Sequence, residues 1–347
     1  MVIKFERNDI TKMDVDCIVN AANNTLLGGG GVDGQIHRVA GPELLKECMT
    51  LGGCETGGAK ITKGYKLKAK YIIHTVGPIY QDGKHNEEKL LTNCYYNSLL
   101  LAKENNIKTI AFPLISAGIF GYPKKEAIKV AINAIKKFGE DNKDYDIEVT
   151  LVFFGNSTTN LANELFGDIK SYIDDNYADE KNLHFGNESR GIFRNSFTGS
   201  IIREENKIEC IKNIHEQKFF GKKENKKENL AQLIDNLDLS FADALLKLID
   251  EKNLKDVDVY INANMDRKLF SKIRNGSHPK KSTAIALCIS LKLSLDETNN
   301  LIKKAGYALT DSEKFDVIIK YFIENKNYDI NEINAALFFY DQQQLGV

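Results

Sequence analysis

Asn20, Asn23, Asp33 and His37 lie within the single stretch NAANNTLLGGGGVDGQIH. Each type has a chemical use. An asparagine amide carries donors and an acceptor together, which suits it to orienting sugar hydroxyls. A carboxylate can polarise a water or a hydroxyl as a general base. A histidine four residues after an aspartate shares its helical face and can pair with it. Between the asparagines and the acid stand four consecutive glycines, Gly28 to Gly31. Missing Cβ atoms let backbone N–H groups approach an anion closely, and a helix N-terminus adds partial positive charge. A second loop of this kind, SAGIFGYP from Ser116 to Pro123, holds Gly118 and Gly121 and places Pro123 near a helical first turn. Two such loops can grip a diphosphate from both sides.

Plainer readings compete. The glycines can serve only a tight turn, although four in a row cost more chain entropy than a turn requires. Gly29-x-Gly31-x-x-Gly34 satisfies the dinucleotide fingerprint, but Asp33 falls inside that loop, where it would repel a pyrophosphate. No Walker sequence is present. Asn23 can cap its own loop as an Asx turn, Asp33 can be a simple helix N-cap, and His37 beside Ile36 can be a packed surface residue.

The elements that position these residues are legible as alternation. Val2–Glu6, Val15–Asn20, Lys60–Gly64, Tyr71–Val76, Thr109–Pro113 and Ile147–Phe154 read as strands. Val32–Ala40, Glu87–Asn105 and Pro123–Phe138 read as helices, and near-continuous apolar strands among helices argue a sheet covered on both faces. Residues 167–237, with GKKENKKEN, read as a linker or connecting helices. From 238 to 347 the pattern is helical only, in short segments closed by Asn, Gly or a polar break. Two domains are therefore expected in 347 residues.

With 47 basic against 48 acidic side chains, no global field announces a nucleic-acid or membrane partner. No apolar run is long enough to span a bilayer, and the first residues lack a signal-peptide core, so a cytoplasmic protein is expected. The six cysteines show no Cys-x-x-Cys pair and no metal-like offset to histidine, which predicts reduced thiols, no metal site and no cofactor.

The stretches NDIT, NAAN, GGGGVDGQIHRVAGPEL, CETGGAKIT, YIIHTVGP and PLISAGIFGYP occur in this order within residues 1–166. Together they resemble the macrodomain family of the MacroD type, whose members bind ADP-ribose and remove it from modified proteins. The resemblance implies a three-layer α/β/α sandwich around a mixed sheet. It implies Asp9 and Ile10 at the adenine, with Asn8 where the family usually has Gly. Gly30, Gly31 and Val32 would line the first diphosphate loop. Ser116, Ala117, Gly118, Ile119 and Phe120 would line the second, with Ala117 replacing a frequent Thr and Phe120 packing on the distal ribose. Asn20 is expected to bind ligand and Asn156 to approach the adenine. Asn23, Asp33 and His37 are expected to carry the chemistry. The implied reaction is metal-independent hydrolysis of the ester joining ADP-ribose to an acidic side chain of a modified protein, or of the ester in O-acetyl-ADP-ribose. A non-catalytic ADP-ribose reader is the alternative.

The helical segment weakly resembles lambda-repressor-like helix-turn-helix modules. DVDVYINANMDRKLFSKIRNG would supply the turn pair and Asp266–Arg274 the recognition helix. Arg267, Lys268, Lys272, Arg274, Lys280 and Lys281 make it locally basic. From Asp238 to Val347, however, 15 basic side chains face 16 acidic ones, a poor footprint for DNA. Contact with DNA and contact with a protein partner or with the rest of the chain both remain open.

Overall fold

Side chains alternate along the strands into two different cores, and that alternation builds the layers. In the computed structural model, which describes residues 1–154, 166–176 and 239–346, six strands form one sheet. They are β1 (Val2–Arg7), β2 (Cys17–Ala22), β3 (Ala59–Lys63), β4 (Tyr71–Val76), β5 (Thr109–Pro113) and β6 (Glu148–Phe153), in the order β1-β6-β5-β2-β4-β3. All pairs are parallel except β3 with β4, so the sheet is mixed. Cys17 and Val19, Ile73, Ile110 and Phe112 enter one core, and Ile18, Ile72 and Ala111 the other. The first core is closed by α3 (Glu87–Glu104) and α4 (Lys124–Asp141), the second by α1 (Gly31–Ala40) and α2 (Pro42–Thr50). The result is the expected α/β/α sandwich.

Segment boundaries follow local chemistry. β2 begins after Asp16, because that carboxylate accepts hydrogen bonds from the N–H groups of Lys108 (3.1 Å) and Thr109 (3.2 Å) at the start of β5. The strand therefore runs to Ala22, two residues beyond the sequence expectation.

Among the described residues, those after β6 contain helices and no strand. α5 (Gly167–Asn176), α6 (Phe241–Glu251), α7 (Asp256–Asn262), α8 (Arg267–Arg274), α9 (Lys281–Ser290), α10 (Leu295–Lys303), α11 (Lys314–Glu324) and α12 (Ile330–Phe339) share one apolar cluster. Short helices survive here because their ends are satisfied: Ser240, Asp266 and Asp329 cap α6, α8 and α12, and Ser294 with Glu297 forms a capping box on α10. α5, within the stretch read from sequence as a linker or connecting helices, packs Ile169 and Ile173 into this cluster. The rest of the expected linker lies outside the described residues.

The helices are also joined to the sheet. β1 is an edge strand whose free backbone groups would otherwise need water or another chain. Asn264 accepts from the Ile3 N–H (2.8 Å) and donates to the Ile3 carbonyl (2.9 Å). Gln344 does the same for Phe5, at 3.0 and 2.8 Å. Asn334 holds the Gln344 segment by clasping both backbone groups of Leu345 (2.7 and 3.0 Å). Phe338 packs on Phe5 and Phe153, Phe339 packs on Phe153, and Lys136 pairs with Asp329 at 2.5 Å. Residues 1–154, 166–176 and 240–346 accordingly fall in one compact unit.

Candidate active site

The first glycine loop follows β2 and ends at Gly30, the N-cap of α1, so Asp33 sits in the first helical turn and is not the cap itself. Gly31 has φ +61°, a conformation that side-chain-bearing residues rarely adopt, and nothing lies within 4 Å of where its Cβ would be. The second loop follows β5. Ser116 has φ 62° there, and its buried Oγ has no hydrogen-bond partner. The Tyr122 N–H donates to the Ser116 carbonyl (3.0 Å) and the Tyr80 N–H to the Phe120 carbonyl (2.8 Å), fixing the loop at two points. The two loops meet: a Cβ built on Gly30 would lie 3.4 Å from Ile119 Cδ1.

Between them is a cavity of about 710 Å³, within the range of ligand sites. It is lined by Asp9, Ile10, Asn23, Gly30, Gly31, Val32 and Asp33, and by Ser116, Ala117, Gly118, Ile119 and Phe120. Asp9 Oδ1 is occupied by the N–H (3.0 Å) and hydroxyl (2.6 Å) of Thr11. Two expected residues are elsewhere: Asn20 is fully buried behind the wall, and His37 packs its ring against Gly28 behind Asp33. Asn156 lies outside the described residues. The cavity also takes in Gly77, Lys124, Phe153 and Phe154, which the sequence did not single out. Phe154, expected to end the last strand, lies one residue past β6 and is 83% exposed, which sequence alternation alone cannot show.

Asp33 and Asn23 converge at one point of the wall. A Cβ on Gly29 would stand 3.1 Å from Asp33 Oδ2 and 3.2 Å from Asn23 Nδ2. Asn23 Nδ2 also donates to the Gly28 carbonyl (2.9 Å), and its Oδ1 accepts from the Thr25 N–H (3.0 Å), so the amide is held as an Asx turn while it faces the cavity. Asp33 is 3% exposed. Its Oδ1 accepts from Asn20 Nδ2 at 2.7 Å and lies 3.5 Å from His37 Nε2, while Oδ2 is buried with no partner among the described residues. Burial pushes the Asp33 carboxyl above the usual aspartate range, against the opposing pull of the Asn20 amide and the His37 charge.

His37, Cys48 and His74 bring possible ligand atoms within 4.8 Å of one another. The hydrogen bonds argue against using them as a metal set. Asn20 must turn its NH₂ toward the Asp33 carboxylate, so the same NH₂ donates to His74 Nδ1 (3.1 Å). His74 then carries its proton on Nε2 and donates it to Thr62 Oγ1 (2.9 Å), the nitrogen a metal would need. Burial drops the His74 pKa to about 3, and the Cys48 thiol is pushed up to about 11.

Residues 19–131 match the Macro domain family model. A macro domain-containing protein of Methanosarcina mazei is 60% identical over 141 residues, which cover 41% of this chain and 75% of that protein. The chain belongs to the macro domain family. The ADP-ribose glycohydrolase MACROD2 of Xenopus laevis is 59% identical over 143 residues; these are 41% of this chain and 34% of MACROD2, so this macro domain protein spans about a third of that relative. A Trypanosoma brucei macrodomain solved in complex with ADP-ribose is 44% identical, with 44% of this chain and 63% of that one covered and a TM-score of 0.41.

Proposed function

We propose that this macro domain protein is a hydrolase that releases ADP-ribose from acidic side chains of modified proteins, or acetate from O-acetyl-ADP-ribose, without a metal ion. The observation that carries the reading is Asp33 Oδ2, an unpartnered buried carboxylate oxygen set beside Asn23 in a cavity walled by two glycine loops. The similarity to a protein named an ADP-ribose glycohydrolase supports it.

In this mechanism, the backbone N–H groups of the Gly30–Val32 and Ser116–Phe120 loops hold the diphosphate, and Phe120 packs on the distal ribose. Asn23 orients the ribose hydroxyls. Asp33 Oδ2 accepts a proton from the attacking water, the ester C–O bond breaks, and the products are a free carboxylate and the ADP-ribose hydroxyl. A general base contributes about 10²- to 10⁴-fold, and a raised Asp33 pKa brings that base closer to neutrality. Asp33→Ala is expected to keep ADP-ribose affinity by calorimetry and to lose that factor in release from a glutamate-modified protein. Unchanged turnover would reject the role.

The helical unit supports a separate, outward role. Its docking on β1 accounts for an intramolecular one, yet Arg267, Lys268 and Lys272 of α8 remain exposed, with Arg274 paired to Asp256. We assign this face to contact with DNA or an acidic protein partner. A low-salt gel shift with random duplex separates the two, because nonspecific phosphate contact appears there first.

A further inference from the structure

We propose that His74 is a positioning residue for this reaction: by accepting the second N–H of Asn20, it holds in place the amide whose first N–H the Asp33 carboxylate takes, and so keeps Asp33 Oδ2 free for the substrate side. The inference rests on the hydrolase reading above. Asn20 and His74 are register partners on the neighbouring parallel strands β2 and β4, both 0% exposed, and His74 has no place in the cavity wall.

The protons that link Asp33, Asn20, His74 and Thr62 are assigned, with Cys48 Sγ a further neighbour of His74 Nε2 at 3.8 Å. One Asn20 N–H goes to Asp33 Oδ1 (2.7 Å) and the other to His74 Nδ1 (3.1 Å). His74 Nε2–H goes to Thr62 Oγ1 (2.9 Å), whose own proton goes to the Lys63 carbonyl (3.3 Å). Asn20 Oδ1 has no partner among the described residues, so the two N–H bonds hold the amide. Without the Nδ1 acceptor, an Asn20 turned end for end would point Oδ1 at a carboxylate. The groups that face Asp33 are His37 on its own helix, Asn20 from the sheet and Cys48 from α2, with His74 behind Asn20.

The test uses the two amide isosteres of histidine in the full chain. Asn at position 74 places an oxygen near the Nδ1 position and can still accept from Asn20. Gln places its amide near Nε2 and serves Thr62 instead. His74→Asn is expected to keep kcat within about threefold, whereas His74→Gln loses about 10- to 100-fold in kcat with KM and ADP-ribose affinity unchanged. The acid limb of the His74→Gln kcat profile moves to higher pH, because the donor that favours ionised Asp33 is lost. A purely packing role predicts the reverse order, since Gln is nearer to His in volume. Wild-type kcat in His74→Gln, or greater damage in His74→Asn, overturns the proposal. If Asp33→Ala also turns over normally, the hydrolase reading fails; if Asp33→Ala is inactive while His74→Gln is normal, only the positioning role fails. Imidazole ¹⁵N NMR of the wild type reads the tautomer independently of any variant. An Nε2-protonated ring, constant from about pH 5 to 8, is expected, and an Nδ1-protonated or charged ring refutes the assignment.

Discussion

A single methyl group on Gly29 probes the convergence of Asp33 and Asn23 without removing either. The backbone at Gly29 lies outside the left-handed region, so alanine adds no conformational strain there. Its Cβ would instead stand 3.1 Å from Asp33 Oδ2 and 3.2 Å from Asn23 Nδ2, closer than ordinary van der Waals contact. Both groups must yield by a few tenths of an ångström. A misplacement of about 1 Å can cost about 10²-fold in rate, so a shift of this size costs roughly five- to tenfold in kcat. The loop backbone that would hold the diphosphate is untouched, and calorimetric affinity for ADP-ribose is expected to change by less than about threefold. The assay is release of ADP-ribose from a glutamate-modified protein under saturating substrate, with calorimetry beside it. Full kcat in Gly29→Ala would mean that the two side chains do not act from the positions described. A parallel loss of affinity would mean that the methyl group meets the ligand, and the geometry of the wall would have to be redrawn.

Gly77→Ala acts on the opposite wall. Its Cβ would fall 2.1 Å from Ser116 Oγ and 2.7 Å from Ile115 Cγ2, so the second loop must move and ADP-ribose affinity is expected to fall by about tenfold or more, read by calorimetry. Asp33→Asn should raise the melting temperature at neutral pH. A carboxyl whose folded pKa is raised contributes stability below its unfolded value of about 4, and that contribution is lost as pH rises through the folded value. The advantage of the variant should therefore vanish in acid, and a constant difference across pH would contradict the raised pKa. Asn264→Leu leaves the N–H and carbonyl of Ile3 unpaired in a buried edge, at about 1–3 kcal/mol for each group, measurable by urea unfolding.

The sheet was legible in the sequence because its strands alternate between two cores, as with Ile72 and Ile73, and such alternation needs no long-range knowledge. The glycine loops were legible through composition. The support behind Asp33 was not. His74 in an apolar strand looks like packing, and its partners stand 54 positions away at Asn20 and 12 away at Thr62. Asn20 looked like a ligand contact because asparagine in a loop-edge motif suits one; only the pleat of β2 shows that its amide points away from the cavity. For α5 the sequence left a linker and a connecting helix both open, because Ile169 and Ile173 alone make too short an apolar stripe to separate a packed helix from a connector. The clamp on β1 was invisible for the same reason of distance, since Ile3 and Asn264 are 261 residues apart.

That clamp bears on how the chain comes off the ribosome. β1 is made 339 positions ahead of Gln344, whose amide finishes its outer rim. Until that amide and Asn264 have been made, the nascent sandwich carries a raw margin able to pair with a neighbouring nascent chain. A fragment cut after the sixth strand would keep that margin for its whole lifetime.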